Sequence, residues 1–252
     1  MTSTKPIKTK KIRLDQALVD RGLVSEIREA RARILAGDVV VENQRVDKAG
    51  LTILSSAAIR LKDEGRFVSR GGDKLFAASE DFGLLEEFKG KIVLDVGAST
   101  GGFTDCCLQL GAIRAYAVDV GTNQLAWSLR QDPRVISHEK TDIRDFSPPE
   151  GLDIDWVVAD VSFTSLTRLL DKIIEAAPRA KLLLLVKPQF ELPRDLIPAG
   201  GVVVDDNDRL EAVLLVENTL KAKGFVILNK KDARIEGRAG NREIFIHAIP
   251  GP

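Results

Sequence analysis

The residues most suited to chemistry begin in the stretch DVGASTGGFT, residues 95–104. An apolar run ends there in Asp95 and a turn of small residues follows: Gly97, Ala98, Ser99, Thr100, Gly101, Gly102, then Phe103. Three nucleotides compete for such a turn. A triphosphate loop needs a lysine directly after its second glycine, and Phe103 occupies that position after Gly102, so the phosphate-cradling cation is missing. A dinucleotide loop needs a glycine at position 99, where the chain has Ser99, so the close approach to a pyrophosphate is not provided for. S-adenosylmethionine suits the pattern better. Asp95 ends the first strand, small residues admit the methionine part, and Asp119 in YAVDVG ends the next strand. A carboxylate there accepts hydrogen bonds from ribose hydroxyls, about 20 residues beyond the turn, as in dinucleotide folds. Asp142, at the end of the third strand, is the candidate acceptor for the adenine amino group.

The elements that must position these groups alternate. KIVLDVG, RAYAVDVG, RVISHEKTD, DIDWVVADVSF, KLLLLVKPQF, FVILNKKDARI and REIFIHAI read as strands, with amphipathic segments such as SLTRLLDKIIEAAP between them. Alternation of this kind predicts an α/β fold, a mostly parallel sheet with helices on both faces. The last two strands are joined by too short a link for a crossover helix, which predicts that the final strand is antiparallel.

The front of the chain differs. Residues 1–74 hold 16 basic and 10 acidic residues, although the whole chain is balanced at 37 of each, and a local basic excess suits a polyanionic partner. Leu14, Ala17 and Leu18 share one helical face; Ser25 is a candidate N-cap and Gly37 a candidate stop for a second helix, before a hairpin VVVENQRV. This pattern, over roughly residues 12–60, resembles the S4-type RNA-binding domain, a small α+β module. The resemblance points to Arg13, Arg21, Arg28, Arg31 and Lys48 as RNA-binding residues.

Over nearly the whole chain, SRGGDKL, VLDVGASTGGFTD, AVDVG, DVSFTSL, LVKPQFE and GNREIF occur in that order. Together they resemble the TlyA family of ribosomal RNA ribose 2'-O-methyltransferases, some of whose members are labelled haemolysins. The resemblance implies a Rossmann-like class I methyltransferase domain at residues 71–252, an S4-like domain at 10–61 and a linker at 62–70. It also implies a catalytic tetrad of Lys74, Asp160, Lys187 and Glu243. A ribose hydroxyl must lose its proton to attack a methyl group. Lys187 is assigned as the base, which requires a neutral amine; Lys74 is the neighbouring cation that favours neutrality, and the two carboxylates position the lysines and the ribose. Glu236 competes with Glu243, and the GNREIF match favours Glu243.

The implied cofactor is S-adenosylmethionine and the implied partner ribosomal RNA or a ribosomal subunit, with cytidine the suggested target. No metal, membrane or obligatory protein partner is expected. The only cysteines, Cys106 and Cys107, are adjacent, a poor arrangement for disulfides or spaced metal ligands, and the N-terminal stretch has no signal-peptide apolar run. Both point to a soluble, cytoplasmic protein. Two rival classes are a membrane-active haemolysin, which no long apolar segment supports, and a non-catalytic RNA-binding protein with a vestigial methyltransferase fold, against which the complete tetrad argues.

Overall fold

The computed structural model describes residues 10–42, 44–61, 65–237 and 240–252. Asn43 of the hairpin tip, residues 62–64 of the expected linker and the tail at 1–9 lie outside the described residues. The chain forms two compact units. One holds the described residues up to Gly65 with Ala126–Ser128, the other Arg66–Leu125 and Leu129–Pro252.

The first unit runs β1 (Lys11–Arg13), α1 (Leu14–Asp20), α2 (Ile27–Ala36), β2 (Val39–Val41), β3 (Gln44–Val46), β4 (Thr52–Leu54) and β5 (Ile59–Leu61). Leu14, Ala17 and Leu18 of α1 meet Ala30 and Ile34 of α2 and Val39 of β2 in a small core. Gly37 closes α2 in the left-handed conformation, at φ +74°, which glycine adopts without steric cost. Ser25 is not the N-cap that its type suggests: Glu26 holds that position. Ser25 instead donates from its N–H and its hydroxyl to Glu29, each at 2.8 Å, so the carboxylate of the first turn reaches back toward the helix start. Strands β1, β4 and β5 are not evident in the sequence. Each is three residues long, too short to show an alternating pattern.

The chain continues, in the second unit except for the first two residues of α5, with α3 (Arg70–Asp81), β6 (Ile92–Val96), α4 (Gly102–Gln109), β7 (Arg114–Asp119), α5 (Trp127–Gln131), β8 (Val135–Glu139), β9 (Trp156–Ala159), α6 (Leu170–Ala176), β10 (Lys181–Val186), α7 (Pro188–Glu191), α8 (Asp206–Ala222), β11 (Phe225–Asp232) and β12 (Ile244–Pro250). Its seven-stranded sheet has the order β11-β12-β10-β9-β6-β7-β8. β12 alone runs against its neighbours, β10 and β11. The expected mostly parallel sheet with an antiparallel last strand is thus observed. Its near-continuous apolar strands, such as LLLLV in β10, are buried on both faces. On one face Leu94, Val118, Val157, Leu184 and Ile246 pack with Ile173 of α6 and Val216 and Leu220 of α8. Each such side chain stabilises the fold by about 1.5–3 kcal/mol. That core fixes the strands, and the strands aim their ends at one edge.

Candidate active site

Five strand ends meet at that edge. Val96 of β6 is in register with Ala159 of β9, which sets Gly97 level with Asp160. Val186 of β10 is in register with Ile244 of β12, which sets Lys187 beside Glu243 because β12 is antiparallel. Asp119 ends β7.

The glycine turn has the backbone that its residues permit. Gly97 and Gly101 lie at φ +81° and +92°. A Cβ on Gly97 would stand 2.9 Å from the Asp160 carbonyl oxygen, so any side chain would drive β6 and β9 apart. Ser99, also at positive φ, donates its N–H to Asp119 Oδ2 at 2.8 Å, and Gly121 N–H donates to Oδ1 at 2.6 Å. Each oxygen keeps a lone pair, so the fixed carboxylate can still accept from a ribose diol.

Asp95 is fully buried. Its Oδ2 accepts from Thr104 N–H at 2.9 Å and Thr104 Oγ1 at 2.6 Å, tying the strand to the first turn of α4. Its Oδ1 is buried without a partner. Burial pushes this carboxyl up to about 7, and the nearby charges of Asp160 and Asp119 act in the same direction. An orphaned acid beneath a turn of bare backbone, with a held carboxylate at the next strand end, fits a ligand that carries both a positive charge and a ribose, as S-adenosylmethionine does.

The sequence-predicted residues are not all equally placed. Phe103 turns its ring into the core, stacked on Phe245 at 6.1 Å, so only its backbone lines the turn. Asp142 is engaged by Arg144, which donates to both its oxygens at 2.9 and 2.7 Å, so an adenine amino group would share those oxygens with the guanidinium.

The tetrad residues gather as two ion pairs. Lys74, in the first half of α3, donates to Glu243 Oε2 at 2.5 Å; Lys187 Nζ lies 2.6 Å from Asp160 Oδ1, an ion-pair distance without hydrogen-bond alignment. Lys74, Lys187 and Glu243 are buried, whereas Glu236 is exposed and only its carbonyl is used, accepting from Arg70 Nη2 at 2.9 Å. The loop before Glu243 is pinned by Asn241, whose side chain accepts from Val203 N–H and donates to the Gly201 carbonyl.

Residues that sequence reasoning missed stand beside Lys187. Ser162 Oγ accepts from Lys187 Nζ at 2.7 Å. Glu191, at the end of α7, accepts from Ser165 Oγ at 2.6 Å and Leu166 N–H at 2.7 Å, joining the loop after β10 to the loop after β9. Phe163 is 93% exposed with φ +66° and contacts Phe190 at 5.5 Å between ring centres. All lie within DVSFTSL and LVKPQFE, but nothing in their types marks them apart. Cys106 and Cys107 are buried, and burial pushes both thiols up, which keeps them unreactive. Among the described residues no group of three or more His, Cys, Asp or Glu side chains could hold a metal.

A Rossmann-like sheet of this order, with a glycine turn and paired lysines and carboxylates at its C-terminal edge, defines a methyltransferase. The chain belongs to the FtsJ-like methyltransferase family, which it matches over residues 67–249, and it carries an S4 domain at residues 12–59. It is 39% identical over 241 residues to the 16S/23S rRNA (cytidine-2'-O)-methyltransferase TlyA of Mycobacterium tuberculosis, covering 94% of this chain and 89% of that protein. It is 36% identical to Hemolysin A of Brachyspira hyodysenteriae, covering 94% of this chain and all of that one. Among solved structures, a protein of Streptococcus thermophilus titled as a hemolysin is similar with a TM-score of 0.71 and 37% identity, over 96% of this chain and 90% of its own.

Proposed function

We propose that this protein transfers a methyl group from S-adenosylmethionine to a ribose 2'-hydroxyl of ribosomal RNA, on cytidine. The observation that carries the reading is the convergence of two lysine–carboxylate pairs, Lys74–Glu243 and Lys187–Asp160, at the sheet edge that also holds the glycine turn. The names of the 39%-identical relatives support the substrate.

Bound at this turn, S-adenosylmethionine supplies an activated sulfonium methyl, so the chain's own task is placement and proton removal. Gly97 to Gly102 offer backbone to the methionine part and Asp119 accepts from the ribose hydroxyls of the cofactor. Lys187 takes the proton of the target hydroxyl. Asp160 orients Lys187, and Glu243 orients Lys74, whose ammonium stabilises the developing alkoxide. Phe163 offers an exposed ring on which a nucleobase can stack beside Lys187. No helix among the described residues is long and apolar enough to cross a membrane.

Mass-spectrometric mapping of ribosomal RNA from cells with and without the gene tests the reading. Loss of one or a few ribose methyl marks in the deletion is the expected result. Identical ribose methylation in both strains overturns it.

In the N-terminal unit the five basic residues differ in availability. Arg21 donates to the carbonyls of Ala57 and Ser55 at 2.8 and 2.7 Å, so it braces its own fold. Arg13 and Arg31 share buried Asp15, yet each side chain is about half exposed and a guanidinium has five donors. Arg28 and Lys48 are exposed. Arg28, Arg31, Arg13 and Lys48 are therefore the residues to hold RNA phosphates. The double variant Arg28→Ala/Arg31→Ala is expected to flatten the slope of log affinity against log salt by about 1.4–1.8, at about 0.7–0.9 per lost phosphate contact. An unaltered slope in filter-binding titrations would show that this face does not meet the RNA backbone.

A further inference from the structure

Lys187 is held from two sides. Its Nζ lies 2.6 Å from Asp160 Oδ1 and donates to Ser162 Oγ at 2.7 Å. Asp160 and Ser162 are two residues apart on the loop leaving β9, so one short segment supplies both partners. A neutral amine has, besides its bond to Cε, two N–H bonds and one lone pair in tetrahedral array. When one N–H donates to the Ser162 hydroxyl, and the Asp160 carboxylate 2.6 Å from Nζ repels the electron-rich lone pair, the lone pair has a single direction left. With Asp160 alone, the amine could rotate about Cε–Nζ and present the lone pair or an N–H to the incoming hydroxyl without preference.

The loop is built to hold that geometry. Its far end is stapled by Glu191, which accepts from Ser165 Oγ and Leu166 N–H, and Glu191 is itself the fourth residue after Lys187. The adjacent Phe163 is kept at φ +66°, a conformation that costs a bulky residue energy and persists only where its surroundings fix it. The segment from Asp160 to Leu166 is thus tied at one end to Lys187 and at the other to the α7 turn that follows it.

We propose that Ser162 is a positioning residue which fixes the rotation of the Lys187 amine and so aims its lone pair at the acceptor hydroxyl. This rests on the assignment of Lys187 as the base. Ser162 is exposed at the mouth of the site, so water partly replaces its hydroxyl when it is removed, and the effect is moderate.

The test uses the full-length protein with ribosomal subunits from cells lacking the gene as substrate. Ser162→Ala is expected to lower kcat about tenfold, or more where water substitutes poorly, while the KM for subunits and the affinity for S-adenosylmethionine stay within twofold. Ser162→Thr keeps the hydroxyl and is expected to recover at least a third of wild-type kcat. A second readout needs no turnover: in protein labelled with 15N at lysine, the Lys187 Nζ resonance, which senses the hydrogen bond to Ser162 Oγ, should shift in Ser162→Ala and stay near its wild-type position in Ser162→Thr. Unchanged kcat in Ser162→Ala, or a Lys187 Nζ resonance indifferent to the substitution, overturns the proposal, as does a threonine variant no better than alanine at equal melting temperature. Failure of the base assignment is told apart by Lys187→Ala, whose near-normal turnover would remove that assignment whatever Ser162 does.

Discussion

Replacing Lys187 with alanine is expected to lower kcat for methyl transfer to RNA by about 10²–10⁴-fold, the range over which a positioned base contributes. S-adenosylmethionine affinity should survive within a few-fold, because the glycine turn and Asp119 are set by β6 and β7 and not by β10. Lys187→Arg should be as inactive as the alanine variant. A guanidinium keeps charge and hydrogen bonds but does not give up its proton, so it cannot act as the base. Single-turnover assays with saturating cofactor separate the chemical step from binding. Near-normal turnover in either variant would mean that the hydroxyl proton leaves by another route.

Asp95 supplies the second large effect. Its buried carboxyl titrates near 7 in the folded protein against an ordinary value of 3.8, so between those values the native state holds a proton that the unfolded chain has lost. The sign follows: the contribution to stability is complete below pH 3.8 and is lost as pH rises through 7. A displacement of about three units corresponds to about 4 kcal/mol. Asp95→Asn keeps the shape and an acceptor for Thr104 but has nothing to ionise. Its unfolding free energy relative to wild type, measured in urea without cofactor, should therefore rise by about 4 kcal/mol between about pH 4 and pH 8. Comparing the two proteins cancels the carboxylates that act oppositely, such as Asp81 and Asp132, whose arginine partners hold them below their ordinary range. A pH-independent difference would show that Asp95 is ionised and satisfied in the fold.

Much of this arrangement was legible in the sequence, for reasons that can be traced. The sheet strands are nearly continuous apolar runs, and LLLLV has few other uses. The acids near their ends interrupt those runs: Asp119 closes β7, and Asp95 is followed within β6 only by Val96. The TlyA-like motifs singled out Glu243 over Glu236, and it is the Glu243 carboxylate that reaches Lys74. What was illegible depends on contacts between loops. Nothing about the type of Ser162 or Glu191 separates it from a solvated serine or glutamate; their meaning comes from the meeting of the β9 and β10 loops. The inward turn of Phe103 and the Arg144 clasp on Asp142 are likewise decided by neighbours. In the N-terminal unit, the short strands escape detection because three residues cannot display a period of two.

The position of β12 has a consequence for synthesis. This strand, the last of the sheet to leave the ribosome, is inserted between β10 and β11, and Glu243 meets a lysine that precedes it by 169 residues. Contacts of such sequence separation form slowly, since a long loop must close before anything is gained. The N-terminal unit, apart from Ala126–Ser128, consists of residues that leave the ribosome first, and those can fold while translation continues. A nascent chain thus acquires its S4 domain well before the Lys74–Glu243 pair can form, and throughout that interval the unfinished sheet exposes the edge that β12 will fill.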